Sequence, residues 1–284
     1  MKRHILVAAA VLVPLAPLVA SAQDRPARWQ RRSEATVPPI TVFHSTQSGN
    51  LPTGETLVGG EWLFEISHRF GLIDSGADGF WGLDGPVVNR LGLAYAATDR
   101  VLVGILRSNV FDNVDLSAKV RLLSAGRESV PVILAANAGI SWNTEAPDGV
   151  VEFEDNEMQA YAQLIVNALL GGRVALGVVP SFVHNPDPFT QDTDSGFSLG
   201  LNGQVYLAEQ VSLFGEWIVS EERSGLEHDT GTFGLELETG GHFFKLVVSN
   251  NTRLNPAQHL AGTPDVFGTN RLRFGFNITR ILTF

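Results

Sequence analysis

From about residue 59 onward the chain repeats one pattern, a segment of roughly ten residues in which apolar side chains alternate with polar or charged ones. In EWLFEISHRF, Trp62, Phe64 and Ile66 fall on one face and Glu61, Glu65, Ser67 and Arg69 on the other. NRLGLAYAA sets Leu91, Leu93 and Tyr95 against Arg90, Gly92 and Ala94. VDLSAKVRLL sets Leu116, Ala118, Val120 and Leu122 against Asp115, Ser117, Lys119 and Arg121. A period of two is that of a strand, and charges repeated along one stripe require a wet face. Roughly ten residues is also the length of a tilted strand that crosses a bilayer. Past the N-terminal region no apolar stretch is long and unbroken enough for a spanning helix. A mature chain of this kind that crosses a membrane therefore does so as a closed barrel, because only closure satisfies every backbone group in lipid.

About twelve such segments can be counted, plus or minus two, an even number as single-chain outer-membrane barrels require. The expected fold is an all-β antiparallel transmembrane barrel. Connections alternate in length. Short ones, such as Ala97-Thr98-Asp99-Arg100, the stretch from Ser124 to Glu128, Gly171-Gly172, Glu209-Gln210 and Thr239-Gly240-Gly241, carry hairpin-turn residues. Long ones include GLIDSGADGFWGLDGPVV, NTEAPDGVVEFEDN, HNPDPFTQDTDS, SEERSGLEHD and NNTRLNPAQHLAGTPDVFGT. Short periplasmic turns and long outer loops give this alternation; a soluble sandwich or lipocalin-like barrel fits the strands but not the loops. The final segment, NRLRFGFNITRILTF, is expected to pair with the first and close the ring.

The chain opens MKRHILVAAAVLVPLAPLVASAQD, with Lys2 and Arg3 before an apolar run and a small-residue site at Ala20-Ser21-Ala22. Residues 1–22 read as a secretory signal peptide, and Pro14 and Pro17 argue against a spanning helix. Residues 23–58 form a separate segment and residues 59–284 the barrel. For 23–58 two arrangements stay open: a periplasmic tail, basic at Arg25, Arg28, Arg31 and Arg32, or a plug in which Thr41 to Leu57 turns into the barrel and occupies its lumen. The net charge is −10, and the mature chain is more acidic still, so nucleic acid is a poor partner. With no cysteine there is no disulfide, thiol nucleophile or thiolate metal site.

Strand parity turns Glu65, Arg69, Arg90, Lys119, Arg121, Glu216, Lys245 and Arg273 toward the lumen, either as a salt-bridged filling or as a charged pore lining. His68 shares the outward face with Trp62 as an interfacial residue. Ser67 and His68 are adjacent on a strand, so they point to opposite faces and cannot pair. His184 and His228 stand near acids without a serine at a recognisable spacing. No catalytic residue, metal-ligand set or cofactor motif emerges. The acidic loops, with Glu145, Asp148, Glu152, Glu154, Asp155 and Glu157 in one and Glu221, Glu222, Glu227 and Asp229 in another, read as solvated exterior; the functional variant is divalent bridging to lipopolysaccharide phosphates.

The block VFHSTQSGNLPTGETL, followed by ISHRFG, GLDGPVVNRLGLAYAATDRVLVGILRS and DLSAKVRLL, resembles a family of bacterial β-barrel proteins classed as a domain of unknown function. The likeness covers most of the mature chain and is densest from Val42 to Leu123. It implies a barrel in the bacterial outer membrane, without enzymatic activity. By likeness to outer-membrane proteins generally, Phe284 is the signal read by the barrel-assembly machinery. Arg280 interrupts the apolar stripe there and is expected to snorkel to the interface. The partners implied are outer-membrane lipid and lipopolysaccharide, the assembly machinery and a periplasmic partner, with no cofactor. Two functions fit: a narrow channel or passive transporter for small solutes, selected by the lumen charges, or a closed non-enzymatic barrel that is structural or docks partners through its tail and acidic loops.

Overall fold

The computed structural model describes residues 41–127, 130–145, 158–188, 194–268 and 270–284. The signal peptide, the basic tail from Arg25 to Arg32 and the acids Asp148, Glu152, Glu154, Asp155 and Glu157 lie outside them. Each alternating segment forms a strand: β1 Trp62–Leu72, β2 Val88–Thr98, β3 Val101–Ser108, β4 Val114–Arg127, β5 Val130–Trp142 and β6 Met158–Leu170. β7 Val174–His184, β8 Ser195–Tyr206, β9 Val211–Ser220, β10 Thr230–Glu238, β11 His242–Ser249 and β12 Arg273–Leu282 complete the set. Every strand pairs antiparallel with its sequence neighbours, and β12 closes the ring on β1 through Phe64↔Arg280, Ile66↔Ile278 and His68↔Phe276. The result is a closed barrel of twelve strands.

Turn chemistry sets the short end. β6 and β7 are joined through Gly171 and Gly172, and β10 and β11 through Gly240 and Gly241. All four have positive φ, which a residue with a Cβ adopts only under strain. The opposite end carries the longer connections, including residues 250–272 between β11 and β12. Register shifts occur near the strand ends, between Arg69 and Leu72 and between Ala96 and Thr98, and within β4, where a bulge between Arg121 and Leu123 turns both Leu122 and Leu123 outward and shifts the pattern beyond it.

The wall is inverted relative to a soluble protein. Leu91, Leu116, Leu164, Leu176, Leu213 and Phe233 are exposed on the outside, while Arg69, Arg90, Asp115, Lys119, Glu216 and Lys245 are buried inside. Aromatic pairs stand at both rims, Trp62 with Tyr95 at the short-turn end and His68 with Phe276 farther along β1, their ring centroids 4.7 and 4.6 Å apart. That is the arrangement of interfacial aromatic belts.

Candidate functional site

Two segments fill the barrel, one from each end. The first, residues 42–57, is a hairpin. Gln47 and Pro52 form an antiparallel bridge, and the turn between them is closed by Ser48 N–H to the Leu51 carbonyl at 2.8 Å. Gly49 and Asn50, turn formers by composition, occupy its tip. Thr53 N–H returns to the Thr46 carbonyl at 3.0 Å. Both legs start at the short-turn end: Val42 and Phe43 pack with Ala175 near the β6–β7 turn, and Leu57 packs with Leu63, Ala96 and Leu102 near the β2–β3 turn. The tip reaches far up the lumen, where Leu51 inserts among Ile165, Val179 and Ile218.

The wall holds this hairpin with charged side chains. The Glu216 carboxylate accepts the backbone N–H groups of Gly49, Asn50 and Leu51 at 2.8–3.0 Å, and the Asn50 side-chain amide as well. Lys119 donates to the carbonyls of Thr46 and Thr53 at 2.8 and 2.9 Å. Lys245 donates to the carbonyl of Ser48 at 2.6 Å and pairs with Glu236 at 3.0 Å. Arg121 pairs with Glu55 at 3.3 Å and bonds the Gly54 carbonyl. Arg69 reaches Asn50 and Asn277. Gly54 passes so close to β5 that a Cβ there would collide with Ile133, which is why this leg needs glycine.

The second segment comes from the long connection between β11 and β12. Expected from the sequence to be one of the long outer loops, it folds inward: Leu254, Asn255, Ala257, His259 and Leu260 are buried around a short helix, α1, Pro256–Leu260. Leu51 of the hairpin and Ala257 and Leu260 of α1 share one apolar cluster, so the two segments meet inside the barrel. Arg90 joins all three parts, bonding Glu65 of the wall, the Gln47 side chain of the hairpin and the Leu254 carbonyl of the loop. A cavity of about 100 Å³ remains beside the hairpin, lined by Gln47, Glu65, Arg90, Ser117 and Lys119 among others.

Of the residues singled out by parity, Glu65, Arg69, Arg90, Lys119, Arg121, Glu216 and Lys245 are buried inside the barrel. Arg273 sits at the long-loop end of β12, half-buried, where it pairs with Asp265 at 2.7 Å and so anchors the loop rather than touching the hairpin. Phe284 is fully exposed beyond β12. Two acidic participants, Glu55 and Glu236, which pair with Arg121 and Lys245, are not among the residues expected from the sequence, and Asp115, placed on the polar face of its strand but not among the lumen charges, accepts from Ser141 and Tyr161. Asp115 and Glu236 lie on the same inward parity as residues that were named, so that signal was present. His184 is the register partner of Ser195, and its Nδ1 lies 2.9 Å from the Ser195 hydroxyl, a pairing that separation in sequence concealed. Both are exposed, and among the described residues no carboxylate forms an ion pair with the His184 ring.

A polar, charged interior inside an apolar exterior, closed by twelve antiparallel strands, is a membrane barrel. Residues 43–282 match the family described as membrane bound beta barrel domain (DUF5777). The chain belongs to that family. The protein is accordingly a β-barrel of the bacterial outer membrane. A search of curated proteins finds no match. Among solved structures the family member is similar to the NanC porin, with 7% identity, a TM-score of 0.47 and coverage of 78% of this chain and 99% of the porin. It is similar to an outer-membrane channel from Pseudomonas putida F1, with 16% identity, a TM-score of 0.47 and coverage of 81% and 98%. The KdgM porin gives 7% identity, a TM-score of 0.46 and coverage of 79% and 99%. At these values the likenesses have no bearing on what this barrel does.

Proposed function

We propose that the protein is a narrow channel for small solutes across the outer membrane, held shut by the hairpin 42–57 of its own N-terminal segment, with residues 1–22 removed as a signal peptide. One observation carries this reading. Glu216 and Lys119 have no oppositely charged atom within 4.0 Å among the described residues; their hydrogen bonds go to the hairpin, chiefly to its backbone, with the charges of Arg69 and Glu55 acting on them from farther away. A permanent filling gains nothing from such charges, since well-packed apolar residues of similar volume are as stable or more so than buried ions. Charges on the wall are useful when the hairpin leaves and water takes its place. Lys119 and Arg121 on β4 then face Glu236 on β10 across a ring of twelve, a charged lining that selects by sign and dipole.

A second function, a closed non-enzymatic barrel that docks partners, is favoured by the buried loop at the other end, which occludes that mouth as well. In it the basic tail from Arg25 to Arg32 engages an acidic periplasmic partner. Both functions take the barrel-assembly machinery as the partner during insertion, and neither uses a catalytic residue.

Planar-bilayer conductance of the full mature chain, of a chain lacking residues 23–57, and of full-length Glu216→Lys separates them. Glu216→Lys turns an acceptor of three N–H groups into a donor and expels the hairpin without deleting it. Silence from the full chain with steady conductance from both variants supports the gated channel. Silence from all three, with each folded by circular dichroism, leaves the closed barrel.

A further inference from the structure

Much of the wall's hold on the hairpin is on its main chain, beside side-chain contacts at His44, Ser45, Gln47, Asn50 and Glu55. Glu216 takes the N–H groups of three successive residues, Gly49 to Leu51, at 2.8–3.0 Å. Lys119 takes two carbonyls, one from each leg. Lys245 takes the carbonyls of Gln47 and Ser48, and Arg121 that of Gly54. Asn167 accepts from Gly54 N–H at 2.6 Å, and Asn277 donates to the Gly49 carbonyl at 2.6 Å. These side chains project from β4, β6, β9, β11 and β12, so the recognition wraps around the lumen instead of lying along one wall.

We infer that the lumen is a binding site for polypeptide main chain, and that the solutes suited to it are short peptides. This rests on the channel reading above and names its substrate class. The physical reason is the segregation of the wall: a full negative charge where N–H groups gather, full positive charges where carbonyls gather. Amide groups are separate donors and acceptors in fixed alternation, and charge-assisted bonds to them are stronger than neutral ones. A saccharide hydroxyl is both donor and acceptor and has no need of that separation. Side-chain selectivity adds to this, through the charged and polar contacts to His44, Ser45, Asn50 and Glu55 and through the points of closest approach. A Cβ at position 49 would lie 2.8 Å from Glu216 Oε1, and one at position 54 would collide with Ile133, so small residues fit there. The pocket of Ile165, Val179 and Ile218 takes one apolar side chain at the position of Leu51. The resident hairpin thus occupies the site as a competing peptide would.

The test keeps the full chain. A protease site placed at Val58–Gly60, where Gly59 and Gly60 are exposed, is cut after the protein has folded, leaving the hairpin held only by the lumen. Exchange is then followed with a fluorescent synthetic peptide of residues 41–58, beside a copy N-methylated at Asn50 and Leu51, and conductance is recorded throughout. Expected are exchange of the unmodified peptide and closure of the conductance when it binds. Binding is expected to weaken about tenfold or more on N-methylation, and by a similar factor in Glu216→Gln. After release of the hairpin, triglycine is expected to enter liposomes several-fold faster than a hexose of similar mass. Retention of the cut hairpin until the barrel itself unfolds, or equal binding of the N-methylated peptide with equal flux of triglycine and hexose, overturns the inference. In the second case the conductance survives and the channel stands. Peptide exchange without any conductance leaves the binding site intact and overturns the channel instead.

Discussion

Glu216 is the residue on which most of the hairpin tip depends. Glu216→Gln keeps one acceptor oxygen but removes the charge that three N–H groups share, and hydrogen bonds to charged groups contribute about 1.5–3 kcal/mol each. The expected outcome is a tip loosened by about 2–4 kcal/mol with the barrel intact, read as faster amide exchange at Gly49 to Leu51. Arg90 gives a second test. Arg90→Met strands the buried Glu65 carboxylate and is expected to cost about 3–5 kcal/mol, whereas Arg90→Met with Glu65→Leu recovers most of that loss in a double-mutant cycle of thermal stability. His259 gives a third. Burial, with Arg90 and Arg69 nearby, pushes its pKa down to about 3, and its Nε2 has no partner among the described residues. An unfolded imidazole takes a proton near 6.5, so the loop loses stability as pH falls from about 6.5 toward about 3, by roughly 1.4 kcal/mol per pH unit. Proteolysis of residues 250–272 at pH 4.5 and 7.5 checks this, with faster cutting expected at the lower pH and the difference abolished in His259→Phe.

The two inserted elements differ in how visible they are in the sequence. The hairpin carries turn residues and two glycines at close-packed points, and its plug role is one of two arrangements the residues allow. Gly54→Val is expected to cost about 1–3 kcal/mol by overpacking against Ile133 and to raise the open fraction of the channel; Ile133→Ala in the same chain is expected to restore closure, as read by single-channel recording. The β11–β12 connection is different. NNTRLNPAQHLAGT is rich in asparagine, glutamine and threonine, and is expected from the sequence to lie in one of the long outer loops. Several of its polar groups are buried instead by bonding one another and the barrel: Asn255 bonds Asn113, Asn113 bonds Asn143, and Asn250 bonds the carbonyls of Asp229 and Asp265. Burial satisfied by partners far away in sequence leaves no local periodicity to detect.

For the molecule as a whole, period-two alternation, the even number of segments and the alternation of loop length are consequences of local backbone geometry and of lipid on one side of the wall. They are therefore written along the chain itself, and strand count, pairing order, closure of β12 on β1 and the inward direction of Glu65, Arg69, Arg90, Lys119, Arg121, Glu216 and Lys245 follow from them. The same parity places Arg273 inward but says nothing of Asp265, which holds it at the rim. What fills the ring is a matter of shape and of charge brought together across the lumen. Glu216 and Gly49, Lys119 and Thr46, and Leu51 and Leu260 are far apart in sequence and adjacent only once the barrel has closed. Alternation along a strand shows that a face is wet or buried; whether water, a hairpin or a loop lies against it is decided by the volume the closed wall encloses and by which segments can reach its charges.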